Sequence, residues 1–175
     1  MPISVLRLGH RLGRDARIST HCGLVARALG AREIIYTGER DQILLESVNE
    51  TANRWGGPFS AKYEENWKHV VKKYRKRNFS IVHLTMYGMP VQKVIRRIRK
   101  KKNILVIIGG EKVPPQVYQE ADFNIAVTGQ PHSEVAALAI FLHEYFRGKE
   151  LGKKFRGAKL KIKPQSRGKK VEGVD

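Results

Sequence analysis

The 175-residue chain has a single cysteine, Cys22, which excludes a disulfide framework and any cysteine-rich zinc site. A reducing, cytoplasmic location is the default expectation for such a chain. No run of about 18 apolar residues occurs, so no membrane-spanning helix is expected. Met1-Pro2-Ile3-Ser4 leads directly into strand-like sequence, with no basic region, apolar stretch or small-residue cleavage site, so no secretion signal is expected. Neither G-x-G-x-x-G nor G-x-x-x-x-G-K-[ST] is present, which removes the main support for dinucleotide-binding and P-loop readings. His10, His21, His69, His83, His132 and His143 show no metal-ligand spacing, and no metal site is expected.

Acidic residues are scarce: 16 Asp+Glu stand against 34 Lys+Arg, a net charge of +18. The excess lies in two blocks. Residues 62–102 hold 14 basic and 2 acidic side chains, and residues 147–175 hold 11 and 3. The segment 103–146 between them has 1 basic and 5 acidic, and residues 1–61 have 8 and 6. Clustered Lys/Arg gains affinity for phosphate by releasing condensed counterions, so nucleic acid is the leading partner class. A thermophile-type surface of paired charges would need matching glutamates, and residues 62–102 have only Glu64 and Glu65. The basic stretch 90–102 is short and lacks aromatic anchors, which disfavours an anionic membrane. With 41% apolar residues the chain can build a packed core.

Apolar periodicity divides the chain into alternating strands and helices. Ile3–Leu8, Glu33–Tyr36, Ser80–Leu84 (ending at Tyr87-Gly88), Asn103–Ile108 and Phe123–Val127 read as strands. Helices are expected from His21 to Gly30, over 42–53 behind an Asp41 cap, over 62–77, over 91–102 behind Pro90, from Pro114 to about 120, and from Pro131 to about 146. Ile43, Leu44, Val48 and Ala52 are assigned to one face of the second helix. The last helix is apolar nearly all round, which suits burial on more than one side or an interface. This alternation predicts an α/β fold with a parallel sheet flanked by helices. One domain over residues 1–150 and a basic C-terminal extension over 151–175 are expected. In the extension, Lys159–Lys163 alternates like an edge strand and 164–175 reads as loose.

In open α/β sheets, ligands bind beyond the carboxyl ends of the strands. Three strand ends combine glycine or small residues with polar ones: Leu84–Gly88, Ile108–Pro114 and Val127–Glu134. Glycine permits close backbone approach, and free N–H groups at a helix start can hold an anion. Simpler roles stand beside these: Gly109-Gly110 as a turn, Glu134 as a helix-dipole partner, His132 as a surface residue and Cys22 as a small buried thiol. Just past the first strand, Arg7, Arg11, Arg14 and Arg17 surround Asp15. They form either a salt-bridged loop or a phosphate clamp with a catalytic arginine.

Taken together, these segments resemble the archaeal tRNA cytidine 2′-O-methyltransferases, a branch of the SPOUT superfamily. The matching stretches are Arg7–Arg11 with Arg14-Asp15-x-Arg17 and Thr20-His21, then Arg54-Trp55-Gly56-Gly57-x-Phe59, His83–Gly88, Gly110–Pro114 and Gln130–Ala139. The resemblance implies a deep trefoil knot in the C-terminal part of the sheet and a homodimer formed through it. It implies S-adenosylmethionine as methyl donor, held by Leu84, by Gly109, Gly110, Glu111, Lys112 and Val113, and by Val127, Thr128, Gly129, Gln130, Pro131, His132, Ser133 and Glu134. The reaction implied is 2′-O-methylation of the T-loop cytidine at tRNA position 56. Arg14 takes the catalytic position, with Arg11 and Arg17 as rivals. Its implied work is to orient phosphate and stabilise negative charge, since a guanidinium stays protonated. The superfamily commonly carries an asparagine a few residues before this arginine, where this chain has Leu8-Gly9-His10. Trp55 and Phe59 are either stacking platforms for a displaced base or core residues. A non-catalytic RNA-binding protein is the alternative that charge alone allows.

Overall fold

A computed structural model describes residues 2–110 and 112–174. Glu111, among the expected cofactor contacts, therefore lies outside the described residues, as do Met1 and Asp175. Six strands, β1 (Ile3–His10), β2 (Glu33–Gly38), β3 (Ser60–Tyr63), β4 (Ser80–Pro90), β5 (Ile104–Gly109) and β6 (Phe123–Ala126), form one sheet in the order β3-β2-β1-β5-β4-β6. Every pairing in it is parallel, as the alternating pattern predicts.

Helices cover both faces. One face packs α1 (Ala16–Ala28), α2 (Gln42–Trp55), α4 (Val91–Ile98) and α6 (Glu134–Phe146) against Ile3, Val5, Ile34, Val82, Val106 and Ile108. The other packs α3 (Trp67–Lys76) and α5 (Pro115–Glu120) against Leu6, Leu8, Ile35, Ile81, Leu105 and Ile107. Successive β5 residues thus feed both cores, which is why Ile104–Ile108 is a continuous apolar run.

Strand order reverses at β1. The chain builds outward through β2 and β3, then crosses to place β5 and β4 on the other side. The β1/β5 border is therefore the switch point, and Leu8 pairs there with Gly109 at the carboxyl rim. Strand β4 adds a second feature at this rim. Both Leu84 and Met89 align with Ile125, so the residues between them bulge out of the ladder.

Several boundaries differ from expectation. Helix α1 starts at Ala16, not His21, because its N-cap Asp15 uses its carboxylate on the Arg11 backbone and guanidinium, outside the usual capping pattern. Residues 60–63 pair with β2, and the following helix starts at Trp67 behind an Asn66 cap that accepts from Lys68 N–H. Helix α6 starts at Glu134, not Pro131, because the Ser133 hydroxyl accepts from Ala136 N–H and sets the first turn. Helix α4 stops at Ile98, ahead of the expected 102. Asp41 caps α2 as predicted, accepting from Leu44 N–H at 2.9 Å, but Ile43 points outward at 80% exposure. The C-terminal segment is ordered: β7 (Leu160–Lys163) and β8 (Lys170–Gly173) pair antiparallel as a separate hairpin, so β7 is not an edge of the main sheet.

Gly23 marks the tightest helix contact. A Cβ there would fall 2.6 Å from the Tyr36 hydroxyl, itself donated to Ser19 O, and 2.9 Å from a Val48 methyl. In a free helix Gly→Ala gains roughly 1 kcal/mol. Here Gly23→Ala is expected to lower stability by about 1–2 kcal/mol in urea unfolding, because overpacking outweighs propensity. A gain in stability would show that this contact relaxes freely.

Candidate active site

Two adjoining cavities open at the carboxyl rim of the sheet. One, of about 510 Å³, is walled by Leu84–Tyr87 at the bulge in β4, by Gly109, Gly110 and Val113 at and beyond the end of β5, and by Pro131–Glu134 at the start of α6. Glu134 is its only fully charged side chain among the described residues. The other, of about 570 Å³, is lined by Arg7, Arg11, Arg14 and Lys112 with Asp15, Glu39 and Glu134. Ile18, Gly110 and Glu134 line both, so the two spaces share a wall.

That wall is built on a buried ion pair. Arg7 lies on the apolar face of β1 and is 2% exposed. Its Nη2 donates to Glu134 Oε1 at 2.8 Å and stands 4.0 Å from Asp15 Oδ2. Asp15 in turn accepts from Arg11 Nε at 3.1 Å. Charges thus alternate from the α6 N-terminus to the loop ahead of α1. Burial pushes the Asp15 carboxyl up, but the Arg11 hydrogen bond and the charges of Arg7 and Arg11 outweigh it and hold it below its ordinary value. Glu134 Oε2 and Arg7 Nε and Nη1 are buried and make no hydrogen bond among the described residues.

The first cavity has a second unpaired group. His83 Nδ1 lies 2.9 Å from Asn124 Oδ1, while Asn124 Nδ2 donates to Tyr118 O at 2.8 Å. The amide orientation assigns the proton to Nδ1 and leaves Nε2 as a buried acceptor with no protein partner. Burial lowers the His83 imidazole, partly opposed by the Asn124 bond, which favours the neutral ring. Tyr118 packs edge-on against it, with ring centroids 4.7 Å apart, and its hydroxyl meets Thr85 Oγ1 at 3.3 Å. Burial pushes the Cys22 thiol up to about 12, so it is no thiolate nucleophile at neutral pH.

Of the expected cofactor contacts, Leu84, Gly109, Gly110, Val113, Pro131, His132, Ser133 and Glu134 come together around the first cavity. Lys112 lines the second. Val127, Thr128, Gly129 and Gln130 line neither. Among the arginines, Arg14 and Arg11 face the second cavity, Arg11 with its guanidinium on Asp15. Arg17 lines a separate cleft between α1 and α2. Phe59 is a core residue and Trp55 is half-buried. Thr85–Tyr87, inside the flagged segment Leu84–Gly88, line the first cavity as well, while the sequence reading missed the pairing of Arg7 with Glu134 and the part of Tyr118. One signal was available: Val5-Leu6-Arg7-Leu8 puts an arginine on a strand face that otherwise reads as core.

The family model described as tRNA ribose 2′-O-methyltransferase, aTrm56, matches residues 55–172. The chain is 54% identical over 171 residues to a protein of Methanothrix thermoacetophila, covering 98% of this chain and 97% of the relative. It is 52% identical over 173 residues to one of Thermococcus kodakarensis, covering 97% and 96%. Both relatives are named tRNA (cytidine(56)-2′-O)-methyltransferase. Among solved structures, the TrmH/SpoU tRNA modifying enzyme of A. aeolicus superposes with a TM-score of 0.62 at 18% identity, over 85% of this chain and 75% of that one. The AdoMet-bound rRNA methyltransferase of Sinorhizobium meliloti gives 0.62 at 21%, over 85% and 57%. At these identities the structural likeness is one of fold.

The depressed Asp15 carboxyl has a pH consequence. A group whose folded value lies below its unfolded one stabilises the fold above the unfolded value and loses that contribution as pH falls through the folded one. Stability of the wild type is therefore expected to fall below about pH 4. Asp15→Asn should be less stable at pH 7 and show a flatter acid limb in urea titrations. Parallel acid limbs for the two proteins would remove Asp15 from the ion chain.

Proposed function

The chain belongs to the tRNA ribose 2′-O-methyltransferase family, and from that premise we propose that it methylates the 2′-oxygen of cytidine 56 in the T-loop of tRNA, using S-adenosylmethionine. The observation that carries this reading is the charge contrast across one wall. Among the described residues, a cavity whose only full charge is Glu134 adjoins one lined by four basic side chains, Arg7, Arg11, Arg14 and Lys112, with three acidic ones, Asp15, Glu39 and Glu134. The first suits a cationic sulfonium donor, and the second suits the phosphates of an RNA strand.

The first cavity fits the donor on three counts. Its volume lies in the range of small-molecule sites. A Cβ on Gly110 would meet nothing within 4 Å, so the backbone there is open to close approach. His83 Nε2 and Glu134 Oε2 are buried acceptors without protein partners. Leu84, Gly109, Gly110, Val113 and Pro131–Glu134 would hold the donor, which when bound supplies an activated methyl group. Glu111, Lys112 and Val127–Gln130 belong to the same loops and are assigned to them by the resemblance.

A ribose hydroxyl is a weak nucleophile at neutral pH and must lie in line with the methyl carbon. Arg14 is assigned the catalytic position on the second cavity. A guanidinium offers donors and no acceptor, so its part is to orient the neighbouring phosphate and stabilise charge developing on the 2′-oxygen. The chain Arg11–Asp15–Arg7–Glu134 supports it by tying the loop ahead of α1 to the wall shared with the donor cavity. A cytoplasmic location is in keeping with a tRNA substrate.

We assign residues 1–150 to the methyltransferase unit, with the trefoil knot in its C-terminal part, and 151–175 to a basic extension that grips tRNA. A homodimer through the knot region is supported by the outer stripe of α6, where Ala136 and Ile140 stay exposed beside the buried Ala137, Leu138 and Phe141.

Labelled S-adenosylmethionine with an unmodified tRNA transcript should yield 2′-O-methylcytidine at position 56, and a methyl group mapped elsewhere would overturn the assignment. Arg14→Ala should lower kcat by roughly 10²–10³ with donor binding retained. Normal turnover would move the role to another residue. The double variant Arg167→Ala, Lys169→Ala, in the hairpin turn, should weaken tRNA binding and reduce the salt slope by about 2 without affecting donor binding. An unchanged slope would take the hairpin out of the grip.

A further inference from the structure

The motif Arg54-Trp55-Gly56-Gly57 has no part in the rim chemistry, yet it is built with care. Gly56 and Gly57 carry φ of 77° and 92°, left-handed values that other residues rarely adopt. A Cβ on Gly56 would fall 2.6 Å from Ala158 N, and one on Gly57 2.7 Å from the Phe155 ring. The two glycines thus let the hairpin lie directly on the end of α2. Backbone bonds close the seam: Gly57 N–H to Arg156 O at 2.8 Å and Lys159 N–H to Arg54 O at 2.9 Å. Beneath them the buried Arg27 donates to Gly56 O at 2.7 Å and lies 4.7 Å over the Phe155 ring.

This seating creates a cavity of about 770 Å³ between Trp55 and the hairpin. It shares no lining residue with either rim cavity, and the 14-residue α2, roughly 20 Å long, separates it from the rim. Its apolar wall includes Trp55, Leu160 and Ile162, while Lys154 and Lys161 supply charge and no acidic residue lines it among the described residues. Ile162 is 60% exposed and Leu151 69%. An apolar slot with an aromatic wall and lysines on its border matches an unstacked nucleobase with its flanking phosphates.

We propose that the cavity between Trp55 and the β7–β8 hairpin is a second RNA subsite, in which an unpaired tRNA base stacks on Trp55 and its phosphates lie on Lys154 and Lys161. The proposal rests on the tRNA reading above and extends it to a site remote from methyl transfer. Trp55→Leu in the full chain should raise KM for unmodified tRNA about tenfold or more, with kcat and S-adenosylmethionine affinity within twofold of wild type. Trp55→Phe should recover most of the loss, which a packing role filled equally by leucine would not require. In a Trp67→Phe protein, where Trp55 is the remaining indole, a short single-stranded RNA should quench the fluorescence saturably. Unchanged KM in Trp55→Leu overturns the proposal. So does a shift in oligomeric state with unchanged tRNA affinity, which would make the slot a contact between copies. If Trp55→Leu melts early, the quenching decides, and no quenching overturns the subsite. A wild-type protein that transfers no methyl to tRNA would instead defeat the enzymatic reading, while the fluorescence still reports on RNA binding.

Discussion

Arg7 and Glu134 form the contact on which the site depends. Moving a guanidinium and a carboxylate out of water costs several kcal/mol per ion, and their attraction offsets this only in good geometry. Here the 2.8 Å bond is backed by Asp15 and Arg11, so the buried positive charge faces negative charge on two sides. The pair joins the central strand to the first turn of α6, which comes more than 120 residues later in the chain. Position of the strand end, of the following arginine loop and of the α6 N-terminus is thereby set by one interaction. The unsatisfied atoms Arg7 Nε, Arg7 Nη1 and Glu134 Oε2 lie at this junction, where polar ligands would meet them.

Sheet topology explains why the junction falls there. Reversal of strand order at β1 leaves a crevice at the β1/β5 rim that no crossover helix fills. The bulge between Leu84 and Met89 lifts Thr85–Tyr87 out of the β4 ladder to form one wall, and the Ser133 cap sets α6 as the other. Acid-poor segments lie elsewhere, in α3, α4 and the C-terminal hairpin, so the excess positive charge is separated from the cavity beside Glu134.

Much of this was legible in the residues. The β5 run Ile104–Ile108 announced a strand buried on both faces, and Asp41 and Pro90 stood where helix starts were read. The three loops chosen from their glycine and polar content do converge, although Val127–Gln130 stop short of the cavity wall. Elements carried by long-range pairing were not legible. Ser60–Tyr63 and Lys170–Gly173 lack strong apolar alternation, and they are strands because β2 and β7 offer unpaired edges at the right distance. The start of α1 was hidden because Asp15 spends its carboxylate on Arg11.

The amino-acid sequence by itself determined the class of fold, the basic blocks and the loops that meet at the rim cavity, because apolar periodicity, charge content and glycine placement are local properties of the chain. Only the tertiary structure decided that Arg7 is buried while Arg11 and Arg14 face the second cavity, that Glu134 lines both spaces, and that Gly56-Gly57 seat a hairpin on α2. Those outcomes depend on distances between residues remote in sequence, and such distances follow from strand order and packing, which no local pattern encodes.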